Sequence, residues 1–191
     1  TKIAILGGSF DPVHLGHVSL AEESKSLIGL DKIIFLPCLK SPHKTNVPSA
    51  SPEQRLEMVR LATKNHEWIS VSRWEIDRPL PSYSWIAAEH FKNEFPESEI
   101  FWIIGNDQWQ NIETWAEPKK LAEFLTFIVF PRDDKEPEPK KGFRSIFINF
   151  YHKASSTAIR ENITTEPSSS SLLNPLVTEF IEGNGIYQPT D

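Results

Sequence analysis

The fold is decided by the stretch Lys2-Ile3-Ala4-Ile5-Leu6-Gly7-Gly8, an apolar run that ends in two glycines. Apolar residues then recur at helical spacing over residues 15–28, and we expect Leu20, Leu27 and Ile28 to face the core. A buried strand, a glycine turn and a helix, in this order, form the beginning of a βαβ unit. We therefore predict a central strand at residues 2–6, followed by a helix that packs on the sheet.

The same alternation continues along the chain. Further strands are predicted at residues 32–36, 69–72, 100–104, 125–130 and 145–150, and further helices at 52–64, 84–95, after Ser155, and 174–183. The strands are almost continuously apolar, which is typical of a parallel sheet covered on both faces. The prediction is an α/β fold, a doubly wound parallel sheet of about six strands. Residues 133–141 and 164–171 are polar and are predicted to be surface loops rather than linkers between domains. Residues 1–191 are therefore expected to form a single domain. The helical segment at about 155–187 is expected to be part of it.

Composition excludes several classes of protein. The 191 residues carry a net charge of −6, which disfavours a nucleic-acid partner because such surfaces need excess Lys and Arg. The longest apolar runs are far too short to cross a bilayer, and no basic, apolar leader opens the sequence. Cys38 is the only cysteine, which excludes intramolecular disulfides and a cysteine-based zinc cluster. We expect a cytoplasmic protein without a membrane partner. The sequence does not indicate an oligomeric state.

The turn after the first strand carries the first functional motif, Gly7-Gly8-Ser9-Phe10-Asp11-Pro12-Val13-His14-Leu15-Gly16-His17. It is neither a dinucleotide fingerprint nor a P-loop. Its glycines let main chain approach a phosphate, and the following helix N-terminus favours anions. The spacing puts His14 and His17 on one side of the first helical turn, with Gly16 leaving room, so that two imidazoles can donate hydrogen bonds to phosphate oxygens. A metal site is the competing interpretation, and it is weaker because no third ligand stands at useful spacing.

A second motif, Lys153-Ala154-Ser155-Ser156-Thr157-Ala158-Ile159-Arg160, places three hydroxyl residues at the start of a short helix. An isolated Ser-Ser-Thr would be interpreted as a plain helix cap. Together, the two motifs resemble those of the nucleotidyltransferase superfamily with the His-x-Gly-His signature. The second signature of that superfamily is usually Ile-Ser-Ser-Thr-x-Ile-Arg, and Ala154 here replaces its first Ile.

The superfamily resemblance implies a Rossmann-like nucleotidyltransferase fold and a reaction without a covalent enzyme intermediate. A phosphate nucleophile would attack the α-phosphorus of a nucleoside triphosphate in line, and pyrophosphate would leave. The implied catalytic residues are His14, His17 and Arg160. His17 would bind the α-phosphate in the transition state, His14 the bridging or β-phosphate oxygen, and Arg160 the β- and γ-phosphates. Mg²⁺ would be carried by the ATP phosphates, with no metal ligands from the protein.

The middle of the chain resembles bacterial nicotinate mononucleotide adenylyltransferase. The matching segments are Pro37-Cys38-Leu39-Lys40-Ser41-Pro42-His43-Lys44, Arg55-x-x-Met58-x-x-x-Ala62, Glu75-x-x-Arg78 with Ser82-Tyr83-Ser84, Gly105-x-Asp107 with Trp115, and the tail from Phe180 to Tyr187. This resemblance implies transfer of the adenylyl group of ATP to nicotinate mononucleotide. The products would be nicotinic acid adenine dinucleotide and pyrophosphate, a step of NAD biosynthesis.

The resemblance also implies two sets of binding residues. ATP would be bound by Gly7, Gly8, Ser9, Phe10, His14, His17, Gly105, Asp107, Arg132, Ser155, Ser156, Thr157 and Arg160. The mononucleotide would be bound by Asp11, Lys44, Ser84 and Trp115. Lys44 would meet its phosphate, Trp115 would stack on the pyridine ring and Ser84 would line the nicotinate end. Asp107 would accept hydrogen bonds from ribose hydroxyls. The structural alternatives are that Trp115 fills the core and that Lys44 is a solvated loop cation.

Three departures from the family pattern keep alternatives open. Ser41 replaces a Pro, Ser84-Trp85-Ile86 stands where Thr-Asp-Thr is usual, and Asp133-Asp134 replaces Pro-Gly. Trp85 is expected either to narrow the acceptor pocket or to pack against the sheet. The alternatives are an enzyme that prefers nicotinamide mononucleotide or another phosphorylated acceptor, and a nucleotide-binding sensor without turnover. A sensor would be expected to lack His14, His17 or Arg160, and all three are present.

Overall fold

The computed structural model describes residues 1–40 and 49–189. Within these residues, six strands, β1 to β6, form one sheet in the order β3-β2-β1-β4-β5-β6, and all of them are parallel. Their bounds are Lys2–Gly8, Lys32–Pro37, Ile69–Val71, Glu99–Gly105, Leu125–Phe130 and Arg144–Phe147. In the register of β1 on β4, Ile5 lies opposite Trp102. The order reverses between β1 and β4, as in doubly wound sheets, which bind ligands outside the carboxyl ends of the strands at such a switch point.

Seven α-helices, α1 to α7, are present in the described part of the chain, together with 3₁₀ turns at Ile112–Thr114 and Pro167–Leu172. Their bounds are Leu15–Ile28, Pro52–Thr63, Ser84–Glu94, Asn106–Trp109, Pro118–Phe124, Ser156–Asn162 and Pro175–Gly183. Local sequence explains where several of them begin. Ser51 and Gln54 form a capping box on α2, and Asn174 caps α7 just before Pro175.

The predicted α/β class and the six parallel strands are confirmed. The sixth strand was predicted at residues 145–150, but β6 ends at Phe147, and only one further ladder bond, from the Ile148 N–H to the Val129 carbonyl, follows it. The short helices α4 and α5 were not predicted, because neither is long enough to show a helical period. Part of the predicted loop 164–171 is a 3₁₀ turn.

One predicted core residue is wrong. The side chain of Leu27 is 59% exposed, whereas Leu20, Ala21 and Ser24 are buried. The buried face of α1 is therefore centred near Ala21 and Ser24, which leaves Leu27 at its margin. Helical spacing alone does not determine the centre of that face, because a polar residue such as Ser24 can occupy it.

The described residues group into two compact units. The first contains residues 1–7, 21–34 and 79–151, and its core includes Trp109 and Phe127. The Trp109 ring also contacts the half-buried Phe143 and the more exposed Phe147. The second contains residues 8–20, 35–78 and 152–191, and in it α2 packs against α7. Both functional motifs belong to the second unit, except for Gly7. The prediction of a single domain over residues 1–191 stays a prediction.

No helix in the described ranges is both long enough and apolar enough to cross a membrane.

Candidate active site

The loop that follows β1 is hydrogen-bonded to a buried arginine. Arg55 lies on α2 and is only 1% exposed. Its Nη1 donates to the Ser9 carbonyl at 2.7 Å and its Nη2 donates to the Leu39 carbonyl at 3.0 Å. The Phe10 ring stacks on Phe35, with centroids 5.4 Å apart. These contacts determine the path of the loop that the sequence predicted to bind phosphate.

Asp11 belongs to the same loop, and its side chain is fully buried. The carboxylate Oδ1 accepts hydrogen bonds from the Ala50 N–H at 3.0 Å and from the Tyr187 hydroxyl at 2.6 Å. Burial, and then the charge of Asp11, raise the pKa of the Tyr187 phenol far above its usual value, so the phenol remains a donor. Asp11 therefore anchors the loop. Its predicted contact with the mononucleotide stays a prediction.

The second motif is hydrogen-bonded to the first. The Ser156 hydroxyl at the start of α6 donates to the Pro12 carbonyl at 2.8 Å. One turn later, Arg160 Nη1 donates to the Asp11 carbonyl at 2.8 Å, and its Nη2 lies 3.4 Å from the Thr157 hydroxyl. Two side chains of one short helix thus bind the carbonyls of consecutive residues in the first motif.

One of the two roles considered for the second motif, a plain helix cap, is observed. The Ser155 hydroxyl accepts a hydrogen bond from the Ala158 N–H at 3.4 Å and so caps α6. Arg160 is only 1% exposed, and its guanidinium is directed at the loop main chain. The predicted contact of Arg160 with the β- and γ-phosphates stays a prediction, and its observed contact is structural.

His14 and His17 come together as expected from their spacing. Their rings stack with centroids 3.8 Å apart and planes inclined by 25°. The main-chain N–H of His14 donates to His17 Nδ1, and the main-chain N–H of Gly16 donates to His14 Nδ1, each at 3.0 Å. In a neutral imidazole, one nitrogen accepts while the other carries the proton. Main chain therefore holds both rings as Nε2–H donors, which is the form that can donate to a phosphate oxygen.

A third imidazole, which the sequence reasoning missed, lies beside this pair. The His152 ring is nearly parallel to that of His14, at 15°, with centroids 6.4 Å apart. A Cβ placed on Gly16 would be 2.8 Å from His14 Cε1 and 3.0 Å from His152 Nδ1. Gly16 thus leaves room for both rings. The only signal in the sequence was a histidine three residues before Ser155, and no spacing rule connects it with the first motif.

The competing interpretation of the two histidines is a metal site. Over residues 1–40 and 49–189, no three His, Cys, Asp or Glu side chains are grouped so as to hold a metal ion. The Nδ1 atoms of His14 and His17 each accept a main-chain N–H, so this nitrogen of each ring is engaged within the protein.

Three other residues predicted to bind ATP lie together in the first unit. Gly105 ends β4, Asp107 lies in the first turn of α4, and Arg132 follows β5. Arg132 Nε lies 3.6 Å from Asp107 Oδ1, and both side chains are about half exposed. A Cβ on Gly105 would be 2.6 Å from Asp107 Oδ1 and 2.8 Å from Arg132 Cδ, so this ion pair covers the glycine. Their binding of ATP stays a prediction.

Comparison with known proteins agrees with the geometry of the motifs. A cytidylyltransferase-like family model matches residues 5–162. A "Probable nicotinate-nucleotide adenylyltransferase" of Methylacidiphilum infernorum is 40% identical over 189 residues, which cover 98% of this chain and 93% of that protein. A protein of the same name from Clostridium botulinum is 34% identical, with 98% of each chain covered. The chain belongs to the nicotinate-nucleotide adenylyltransferase family.

A solved structure supports the fold of this family member. It is the nicotinic acid mononucleotide adenylyltransferase of Plasmodium falciparum in complex with NaAD, and it superposes with a TM-score of 0.80. The match covers 100% of this chain and 98% of that chain at 21% sequence identity. At this identity the similarity bears on the fold, which is the predicted Rossmann-like nucleotidyltransferase fold.

The residues predicted to bind the mononucleotide are placed as follows. Ser84 is the first residue of α3, and Trp115 directly follows the 3₁₀ turn at Ile112–Thr114; both side chains are half-buried. Lys44, like the departure at Ser41, lies outside the described residues. The roles of all of these residues stay predictions.

The other two departures from the family pattern have local packing partners. Lys120 Nζ, on α5, lies 4.2 Å from the centroid of the Trp85 ring, at the place where α3 packs against α5. The partner of Trp85 is thus a helix rather than the sheet, and whether Trp85 narrows the acceptor pocket stays untested. In the loop after Arg132, Asp133 Oδ1 accepts the Lys135 N–H, and the Lys135 carbonyl accepts a hydrogen bond from the Asn106 amide. The charged loop is therefore fastened to α4.

Proposed function

We propose that this chain transfers the adenylyl group of MgATP to nicotinate mononucleotide, forming nicotinic acid adenine dinucleotide and pyrophosphate. The observation that carries the proposal is the stacked pair of His14 and His17, each held by main chain as an Nε2–H donor at the start of α1. The family membership supplies the substrate class, because the relatives are named for this reaction.

In the proposed reaction, an oxygen of the mononucleotide phosphate attacks the α-phosphorus of ATP and forms a new P–O–P bond. The bond from the α-phosphorus to the oxygen that bridges it to the β-phosphorus breaks, and that oxygen leaves with the electron pair on pyrophosphate. The protein contributes position and charge stabilisation rather than a covalent step. His17 donates to the α-phosphate as its charge develops, and His14 donates to the bridging or β-phosphate oxygen.

Mg²⁺ would be held by the phosphate oxygens of ATP and by water rather than by protein ligands, and it would neutralise part of the triphosphate charge. The buried clamp made by Ser156 and Arg160 keeps the loop carbonyls in place, so that the two rings meet the phosphates in one geometry. The proposed compartment is the cytoplasm.

The test is pyrophosphate release from MgATP in the presence of nicotinate mononucleotide or nicotinamide mononucleotide, each supplied separately to the purified protein. We expect faster release with nicotinate mononucleotide. Equal rates with the two mononucleotides would contradict the proposed acceptor. Binding of MgATP without release in the presence of either acceptor would instead indicate a nucleotide sensor.

A further inference from the structure

We propose that His152 is a third imidazole donor to the triphosphate, binding an oxygen of the departing pyrophosphate beside His14. The inference rests on the proposed function for the identity of the ligand. It assigns a role to a side chain that belongs to neither sequence motif.

The first observation is the fixed tautomer of the His152 ring. Its Nδ1 accepts the Ala154 N–H at 3.1 Å, so that the neutral ring carries its proton on Nε2. His14 and His17 are held in the same way, each with Nδ1 accepting from a main-chain N–H. In three imidazoles of the second unit, a main-chain N–H donates to Nδ1, so that each neutral ring carries its proton on Nε2 and can donate from there.

The second observation is the arrangement of His152 around the first turn of α1. Its ring is nearly parallel to that of His14, and Gly16 leaves room for both, since an added Cβ would approach His14 and His152 within 3.0 Å. His152 is half-buried rather than sealed in the core. The N-terminus of α1 favours an anion, and donors from two rings beside it would bind neighbouring oxygens of one polyphosphate.

The chemistry explains why a donor at this position would be useful. Negative charge moves onto the pyrophosphate as the bond to the α-phosphorus breaks. A donor already in place stabilises that charge without reorganisation during the reaction. His17 and His14 are proposed to serve the α-phosphate and the bridging or β-phosphate oxygen, and His152 extends this row of donors toward the leaving group.

The competing explanation is that His152 only fastens the main chain before α6, through Nδ1 and Ala154. Two substitutions separate the roles. His152→Asn keeps an acceptor near the position of Nδ1 and removes the donor at Nε2. His152→Gln keeps an amide donor near the position of Nε2 and removes the acceptor for Ala154.

The experiment measures the affinity of each full-length variant for MgATP by titration calorimetry, and pyrophosphate release with nicotinate mononucleotide. We expect His152→Asn to lower MgATP affinity or kcat/KM for ATP about tenfold, the effect of losing a hydrogen bond to a charged group, and His152→Gln to stay within about threefold of the wild type. His90→Asn is the matched control, because it removes a partly exposed imidazole that pairs with Glu94 on α3.

The outcomes distinguish this proposal from the proposed function. Normal affinity and turnover in His152→Asn overturn the donor role, and so do equal losses in the two variants or a loss in His152→Gln alone. A wild type that binds MgATP but releases no pyrophosphate contradicts the proposed function, while the affinity difference between the variants still tests His152. A wild type that does not bind MgATP overturns the inference itself.

Discussion

The hydroxyl of Tyr187 donates a 2.6 Å hydrogen bond to the buried carboxylate of Asp11, which lies 176 residues earlier in the chain. Tyr187 is itself 2% exposed and has a φ of 64°, a left-handed conformation that is uncommon for a residue other than glycine. The segment after α7 therefore supports the loop that carries His14 and His17. This contact connects the stability of the C-terminal segment with the geometry of the candidate active site.

Replacing Tyr187 with Phe removes that donor and leaves Asp11 with one hydrogen bond fewer in a buried position. We expect a loss of about 1.5–3 kcal/mol in the free energy of unfolding, together with reduced turnover, because the loop loses its support. Urea denaturation and steady-state kinetics measure the two effects. Tyr151→Phe is the control, since the Tyr151 side chain is 82% exposed. Wild-type stability in Tyr187→Phe would show that the contact contributes nothing.

Gly16→Ala tests the packing of the imidazoles. The new Cβ would lie 2.8 Å from His14 Cε1 and 3.0 Å from His152 Nδ1, so at least one ring must move. Misplacing a catalytic ring in this way costs about 100-fold in rate. For stability, the clash is opposed by the helix propensity of alanine, which is about 1 kcal/mol more favourable than that of glycine. We expect activity to fall while the melting temperature changes little.

Gly183→Ala provides the control for that substitution, since a Cβ placed on Gly183 would have no described atom within 4 Å apart from its chain neighbours and the nearby backbone of its own helix. Its activity should be that of the wild type. Full activity in Gly16→Ala would mean that the spacing of the rings is unimportant.

His17→Asn tests the proposed donor to the α-phosphate. The asparagine amide keeps an acceptor for the His14 N–H, which now donates to His17 Nδ1, but it cannot reach the position of Nε2. We expect a folded protein whose kcat falls roughly 100- to 1,000-fold, the usual effect of removing one preorganised donor. Circular dichroism checks folding and a pyrophosphate assay checks the rate. A near-normal rate would remove His17 from the mechanism.

Glu75 provides a test of stability against pH. Burial raises the pKa of its carboxyl to about 7, against an opposing effect of Arg55. Because the folded state holds this proton more tightly than the unfolded chain, the contribution of Glu75 is most favourable at low pH and is lost as the pH rises from about 4.5 through 7.

Glu75→Gln mimics the protonated form at every pH. At pH 8 it should raise the melting temperature by roughly 2–4 °C, the effect of about 1 kcal/mol in a domain of this size, whereas at pH 4.5 the variant and the wild type should agree closely. Scanning calorimetry across this range measures the difference. A variant less stable than the wild type at pH 8 would contradict the assigned cause of the shift.

Local patterns were sufficient for most of the architecture. The apolar runs at residues 2–6 and 100–104 predicted β1 and β4, because a strand buried on both faces has few polar residues. The same reasoning missed α5, which has seven residues and no clear period, and it placed Leu27 on the wrong side of α1. Short elements and helix faces depend on what packs against them.

The sequence by itself determined the α/β class, the parallel strands and the identity of the first imidazole pair, because strand length, helical period and a three-residue spacing are local properties. The tertiary structure alone decided that Arg160 binds the carbonyl of Asp11, 149 residues away, and that His152 joins His14 around Gly16. Contacts over such separations follow from the packing of whole elements, and no local period encodes them.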